Sequence, residues 1–126
     1  MIYGVGHDIV ENKRIAYLWH RFGNRFIEKI LSKAEIATLD KKPNLALFLA
    51  KRFAAKEAFA KACGTGVRSP ILLPSVTIVN DAEGKPSFEF NPAINAWLDK
   101  RQITHCHLSI SDEVNLSSAF VILEII

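Results

Sequence analysis

The sequence predicts an α+β domain, and three observations carry that prediction. Its first ten residues, MIYGVGHDIV, alternate with the period of a strand. The run from Leu45 to Cys63 is apolar or small around most of a helical circumference. Beyond Gly66 the pattern is mostly short alternating segments bounded by turn residues, with one further helix among them.

The elements follow in order. In the opening strand Tyr3, Val5, His7 and Ile9 share one face, while Ile2, Gly4, Gly6, Asp8 and Val10 share the other. Asp8 therefore lies on a face where two glycines let another backbone or a ligand come close. Asn12 is a candidate N-cap for a helix with Ile15, Leu18, Trp19 and Phe22 on one side, ended by Gly23-Asn24. A short helix with Phe26, Ile27, Ile30 and Leu31 comes next. Ser32 and Glu35 then have capping-box spacing for another short helix, to about Leu39. Pro43-Asn44 opens the long central helix and Gly64 closes it. SVTIVND and PSFEF flank a turn and read as a hairpin. Asn91-Pro92 opens a helix burying Ile94, Trp97 and Leu98. Two strands follow, THCHLSIS and SSAFVILEII. The last is apolar on both faces, which predicts a central or subunit-covered position.

At 126 residues the chain predicts one domain, 1–126, able to bury a core without disulfides or a structural metal. There is no signal-peptide pattern and no apolar run long enough for a bilayer, so no membrane association is expected. Cys63 and Cys106 belong to no C-x-x-C pair and read as free thiols of a cytoplasmic protein. A net charge of +3 is compatible with phosphate ligands, nucleic acid or an acidic protein, and chooses none of them.

The chemistry concentrates in KRFAAKEAFAKACGTG, Lys51 to Gly66, where Glu57 is the one acid among Lys51, Arg52, Lys56 and Lys61. A buried carboxylate is costly unless paired, hydrogen-bonded or bound to a metal. The plain reading pairs Glu57 with Lys61 one turn on, a surface ion pair worth a few tenths of a kcal/mol. Arg52 and Lys56 make a second one-turn pair, about 140° away around the helix at ~100° per residue, and could meet another part of a polyanion. Gly64-Thr65-Gly66 is a helix stop with left-handed positions, but it lacks the order of a P-loop. Asp8 with Glu57 would suit Mg²⁺, which takes one or two carboxylates plus substrate phosphate and water. His7, His105 and His107 complete no zinc spacing, and Ser109, Ser111 and Asp112 near His107 form no nucleophile elbow. Arg14, Arg21, Arg25 and Lys29 form a basic stripe, either solvated or facing an acidic partner.

GVGHDIVENKRI, FLAKRFAAKEAFAKACGTG, GKP and HLSISDE…AFVILE occur in that order over nearly the whole chain. Together they resemble the holo-acyl-carrier-protein synthases, the short homotrimeric type of 4′-phosphopantetheinyl transferase. The resemblance implies that family's fold, an antiparallel sheet wrapped with a long central helix. It also implies transfer of 4′-phosphopantetheine from coenzyme A to a serine of apo-acyl carrier protein, releasing adenosine 3′,5′-bisphosphate. By the same resemblance Asp8 and Glu57 bind Mg²⁺, Glu57 and Lys61 are catalytic, and Lys61 assists at the phosphates. Gly64, Thr65 and Gly66 admit the cofactor, which Arg52, Lys85 and Pro86 also contact, from the neighbouring subunit. Arg14, Arg21 and Arg25 receive the acidic helix of the carrier. Two positions depart from the expected pattern: His7 before the metal Asp, and Asp112-Glu113 where many relatives have His. No histidine base transfers to that second position, so the acceptor of the serine proton is metal-bound water or Glu57. The competing readings are a non-catalytic basic module for nucleotide or nucleic acid, and a transferase serving carriers of secondary metabolism.

Overall fold

A computed structural model describes residues 1–126. Strand β1 (Ile2–Glu11) leads into helices α1 (Asn12–Phe22), α2 (Asn24–Ile30) and α3 (Lys33–Ile36), and a 3₁₀ turn at Leu39–Lys41. Helix α4 (Leu45–Cys63) follows, then a 3₁₀ turn at Leu73–Ser75 and the hairpin β2 (Val76–Asn80) and β3 (Pro86–Phe90). Helix α5 (Pro92–Lys100) and strands β4 (Ile103–Asp112) and β5 (Leu116–Ile125) complete the chain. The fold is α+β, with an antiparallel three-stranded sheet in the order β1-β5-β4 and a separate β2-β3 pair.

Strand β5 is central in the sheet, one of the positions that its apolar residues on both faces predict. Its inner side chains Ala119, Val121 and Leu123 are buried beneath α4. On the outer face Val5, Ile9 and Phe120 remain exposed. Helix α4 is therefore apolar almost all round: the sheet covers one side, and α1, α2 and the turn before β2 cover others. Phe59 joins the hairpin to it, with ring centroids 4.7 Å from Phe90 and 5.3 Å from Phe88.

Local signals held where their partners were local. Asn44 accepts from the Leu47 amide and opens α4, and Gly64 closes it in the left-handed conformation at φ 80°. Ser32 and Glu35 form the expected capping box. Asn12 does not cap α1, however. Glu11 occupies the cap position without a side-chain bond. The Asn12 amide instead donates to the Glu113 and Val114 carbonyls, each at 3.3 Å, and accepts from Ser117 Oγ at 2.7 Å. The β4–β5 turn offers this side chain more partners than a helix start does. The third helix is also shorter than predicted, stopping at Ile36.

Candidate active site

The site begins with two absent side chains. A Cβ on Gly6 would lie 1.8 Å from the Ala58 carbonyl oxygen, and one on Gly4 would lie 2.0 Å from that of Ala62. Glycine there lets β1 press backbone to backbone against α4. The approaching partner is thus a second main chain. Two residues beyond Gly6, on the same face, Asp8 is carried to the α4 turn that holds Glu57 and Lys61.

Lys61 donates to the His7 carbonyl at 3.0 Å and to Asp8 Oδ1 at 3.1 Å. It pairs across to the strand, in place of the helix pair with Glu57 that the spacing predicts. Its side chain stays 53% exposed while that of Asp8 is 15% exposed. Glu57 makes no ion pair within 4.0 Å. Burial and then the charge of Asp8 push its carboxyl above the ordinary 4.5, against smaller opposing effects of Lys61 and Arg14. Two carboxylates that repel, one of them half-buried, fit a hard oxygen-ligated dication such as Mg²⁺. No cluster of three or more His, Cys, Asp or Glu forms a metal cage. The remaining ligand positions would fall to water and substrate phosphate.

Next to this pair, Gly64 and Gly66 both have positive φ and nothing within 4 Å of where a Cβ would be. The turn is anchored from its flank, by Arg68 Nε donating to the Thr65 carbonyl at 3.0 Å. It offers a left-handed, uncrowded backbone beside Lys61. Arg14, Arg21 and Arg25 are exposed on α1 and α2, Arg21 lying over the Phe22 ring.

Arg52 lies elsewhere. It lines a cleft of about 420 Å³ with Phe48, Lys51, Asn80, Gly84 and Pro86, a lining that includes none of Asp8, Glu57, Lys61 or Gly64 to Gly66. Lys85 is exposed in the turn beside it, its amide donating to Asp81 Oδ1 at 2.9 Å. One chain thus gathers Asp8, Glu57, Lys61 and Arg14 in one place, and Arg52 with the Gly84 to Pro86 turn in another.

Lys56 requires a correction. The helical spacing paired it with Arg52 as a ligand-facing lobe, yet it is 0% exposed. Its Nζ donates to Glu35 Oε1 at 2.5 Å and to the Ile30 carbonyl at 2.7 Å. Burial drives the Lys56 ammonium down to about 8, against the charge of Glu35 and its hydrogen bond. Glu35 also accepts from the Ser32 and Ile78 amides and lies 3.5 Å from Arg52 Nε. The deeply buried carboxylate of this protein is Glu35, which sequence reasoning used only as a cap. The signal available was a lysine set among Ala54, Ala55 and Ala58, in a helix with no solvent at hand to receive its charge.

The chain and its fold are similar to known proteins. Residues 4–119 match the model of the 4′-phosphopantetheinyl transferase superfamily. The holo-[acyl-carrier-protein] synthase of Nitrosospira multiformis is 50% identical over 124 residues, covering 98% of this chain and 99% of that protein. A crystal structure of holo-[acyl-carrier-protein] synthase from Neisseria meningitidis superposes with a TM-score of 0.96 at 46% identity, covering 98% and 99% of the two chains. That from Bacillus anthracis, in complex with CoA (3′,5′-ADP), gives a TM-score of 0.83 at 34% identity, covering 100% and 99%.

Proposed function

We propose, from the premise that the chain belongs to the 4′-phosphopantetheinyl transferase superfamily, that it moves 4′-phosphopantetheine from coenzyme A to a serine of apo-acyl carrier protein. Adenosine 3′,5′-bisphosphate is the leaving product. The observation that supports this best is Asp8 brought against Glu57 and Lys61 by two glycines that admit α4.

Asp8 and Glu57 would hold Mg²⁺, which supplies neutralising charge at the pyrophosphate of coenzyme A when bound. Lys61 keeps the Asp8 carboxylate in place and presents its exposed ammonium beside the Gly64 to Gly66 turn, where phosphate oxygens gain charge during transfer. Of the chain's own groups, Glu57 is the candidate acceptor of the serine proton. Thr65 orders the turn, while Arg14, Arg21 and Arg25 give an acidic carrier a cationic landing face.

Arg52, Lys85 and Pro86 serve coenzyme A from a neighbouring copy. Their separation from Asp8 within one chain supports an assembly, as does the exposed apolar outer face of the sheet at Val5, Ile9 and Phe120. With the family resemblance, these point to a homotrimer with active sites between subunits. Residues 1–126 act as one domain, in the cytoplasm, and no helix is long and apolar enough to cross a membrane.

The test is incubation with apo-carrier, coenzyme A and Mg²⁺, followed by intact-mass measurement of the carrier. Gain of one phosphopantetheine supports the reading; an unmodified carrier overturns it. Tight, steeply salt-dependent binding of random-sequence DNA without transfer would favour a basic binding module instead.

A further inference from the structure

Asn80 ends β2, just before the turn that carries Gly84, Lys85 and Pro86. Its side chain bonds in two directions. Oδ1 accepts from Arg52 Nη2 at 3.4 Å, and Nδ2 donates to the Gly84 carbonyl at 3.0 Å. A single amide thereby ties α4 to the turn.

The Arg52 guanidinium is bounded on three sides. Glu35 Oε2 lies 3.5 Å from Nε, the Phe48 ring centroid lies 4.7 Å from Cζ, and Asn80 takes Nη2. Nε is buried without a hydrogen-bond partner, so charge rather than a bond holds that edge. Asn80 therefore supplies the one hydrogen bond on this side chain. Nη1 has no partner in the chain, although Arg52 lines the cleft.

The charges around it do not balance. Arg52 and Lys56 share the single carboxylate of Glu35, leaving one positive charge over. Lys42 and Lys51 add two more around the cleft, and Asp112, 4.0 Å from Lys51, offsets only one. A held guanidinium with a free edge, in a cleft of net positive charge, is suited to an anionic oxygen.

We propose that Asn80 is a positioning residue: it orients Arg52 and couples it to the Gly84 to Pro86 turn, so that Nη1 meets a phosphate of coenzyme A. This rests on the reading that Arg52 contacts coenzyme A. The gain is pre-organisation, since an arginine already held in its binding geometry loses less freedom when the ligand arrives.

The experiment measures KM for coenzyme A, KM for carrier and kcat in Asn80→Ala, Asn80→Asp, Arg52→Gln and the double variant Arg52→Gln/Asn80→Ala. Asn80 is exposed, so its variants are expected to fold. Asn80→Ala should raise KM for coenzyme A about tenfold, the weight of roughly one hydrogen bond to a charged group. KM for carrier should move far less. Asn80→Asp keeps the acceptor facing Arg52 but loses the donor to the Gly84 carbonyl and adds negative charge to the cleft, so it should not recover the loss. In the Arg52→Gln background, Asn80→Ala should add nothing. If Arg52→Gln leaves KM for coenzyme A unchanged, the reading of Arg52 fails and the proposal falls with it. If Arg52→Gln raises it while Asn80→Ala is silent or fully additive, the positioning role alone is refuted. Asn80 would then be idle or touch the ligand directly.

Discussion

Lys56 and Glu57 are consecutive residues of α4 and occupy opposite kinds of site. Lys56 points into a closed ion pair in which Glu35 receives two amides and an ammonium, and is faced by a guanidinium. Glu57, about 100° further round the helix, faces another carboxylate and has no ion-pair partner. The Lys56–Glu35 pair finds its partners within the chain. On the proposed reading, a cation completes the second site. A charge whose partners are all internal serves the fold, whereas a charge left uncompensated beside a like charge marks where chemistry is done.

The largest expected effects come from breaking the open site. Asp8→Asn and Glu57→Gln each keep shape and remove one charge, so turnover should fall on the order of 10²- to 10⁴-fold. The double variant should cost little more than either single one, because both residues serve one ion. Single-turnover transfer rates across Mg²⁺ concentrations provide the check. If Glu57→Gln only lowered metal-free stability modestly and left rate and Mg²⁺ dependence intact, Glu57 would belong with Lys56 as a structural charge.

Breaking the closed site should act on stability instead. Lys56→Ala leaves Glu35 buried without its ammonium and should cost about 3–5 kcal/mol. That is a fall on the order of 10 °C in Tm for a domain of this size, readable by calorimetry. Whatever protein remains folded should keep its Mg²⁺ dependence, since Lys56 touches neither Asp8 nor Glu57.

A smaller effect concerns Arg14, whose charge reaches Glu57 from α1. Arg14→Glu should raise KM for carrier about tenfold, well beyond its effect on KM for coenzyme A, as a reversed charge on a docking face does. Equal losses for both substrates would move Arg14 into the catalytic centre.

The smallest effect is a pH dependence. Burial and Asp8 raise the Glu57 carboxyl in the folded chain, so the native state holds a proton that the unfolded state has released. Metal-free stability should therefore fall as pH rises from the ordinary 4.5 through the Glu57 titration, then level off. Glu57→Gln should flatten that slope in Tm measured with a chelator present.

The two sites also differ in how far the sequence reveals them. Asp8 and Glu57 were legible because Gly4, Gly6 and Asp8 alternate on one strand face, and because the helix motif matched a known family. The limits of α4 were legible too, since Asn44 and Gly64 act on their own neighbours. The closed site was not. Lys56 and Glu35 are 21 residues apart, and helical spacing says nothing of what α4 packs against. Asn12 failed for the same reason, its partners lying more than 100 residues away. Local rules report on a residue until a distant segment offers it more bonds.

The contact of β1 with α4 has a consequence for how this protein can vary. Where side chains separate a strand from a helix, each core substitution resets their spacing by a fraction of a methyl group. Here carbonyl oxygens of Ala58 and Ala62 occupy the places where Cβ atoms would stand. The gap is therefore gauged by main chain, whose dimensions do not change with sequence. Positions such as Ile15, Leu49 or Ile94 can drift in size with little effect on the distance from Asp8 to Glu57. At Gly4 and Gly6 a single methyl group forces the two carriers of that pair apart. The tolerance of the active geometry is thus concentrated in two residues that have no side chain at all.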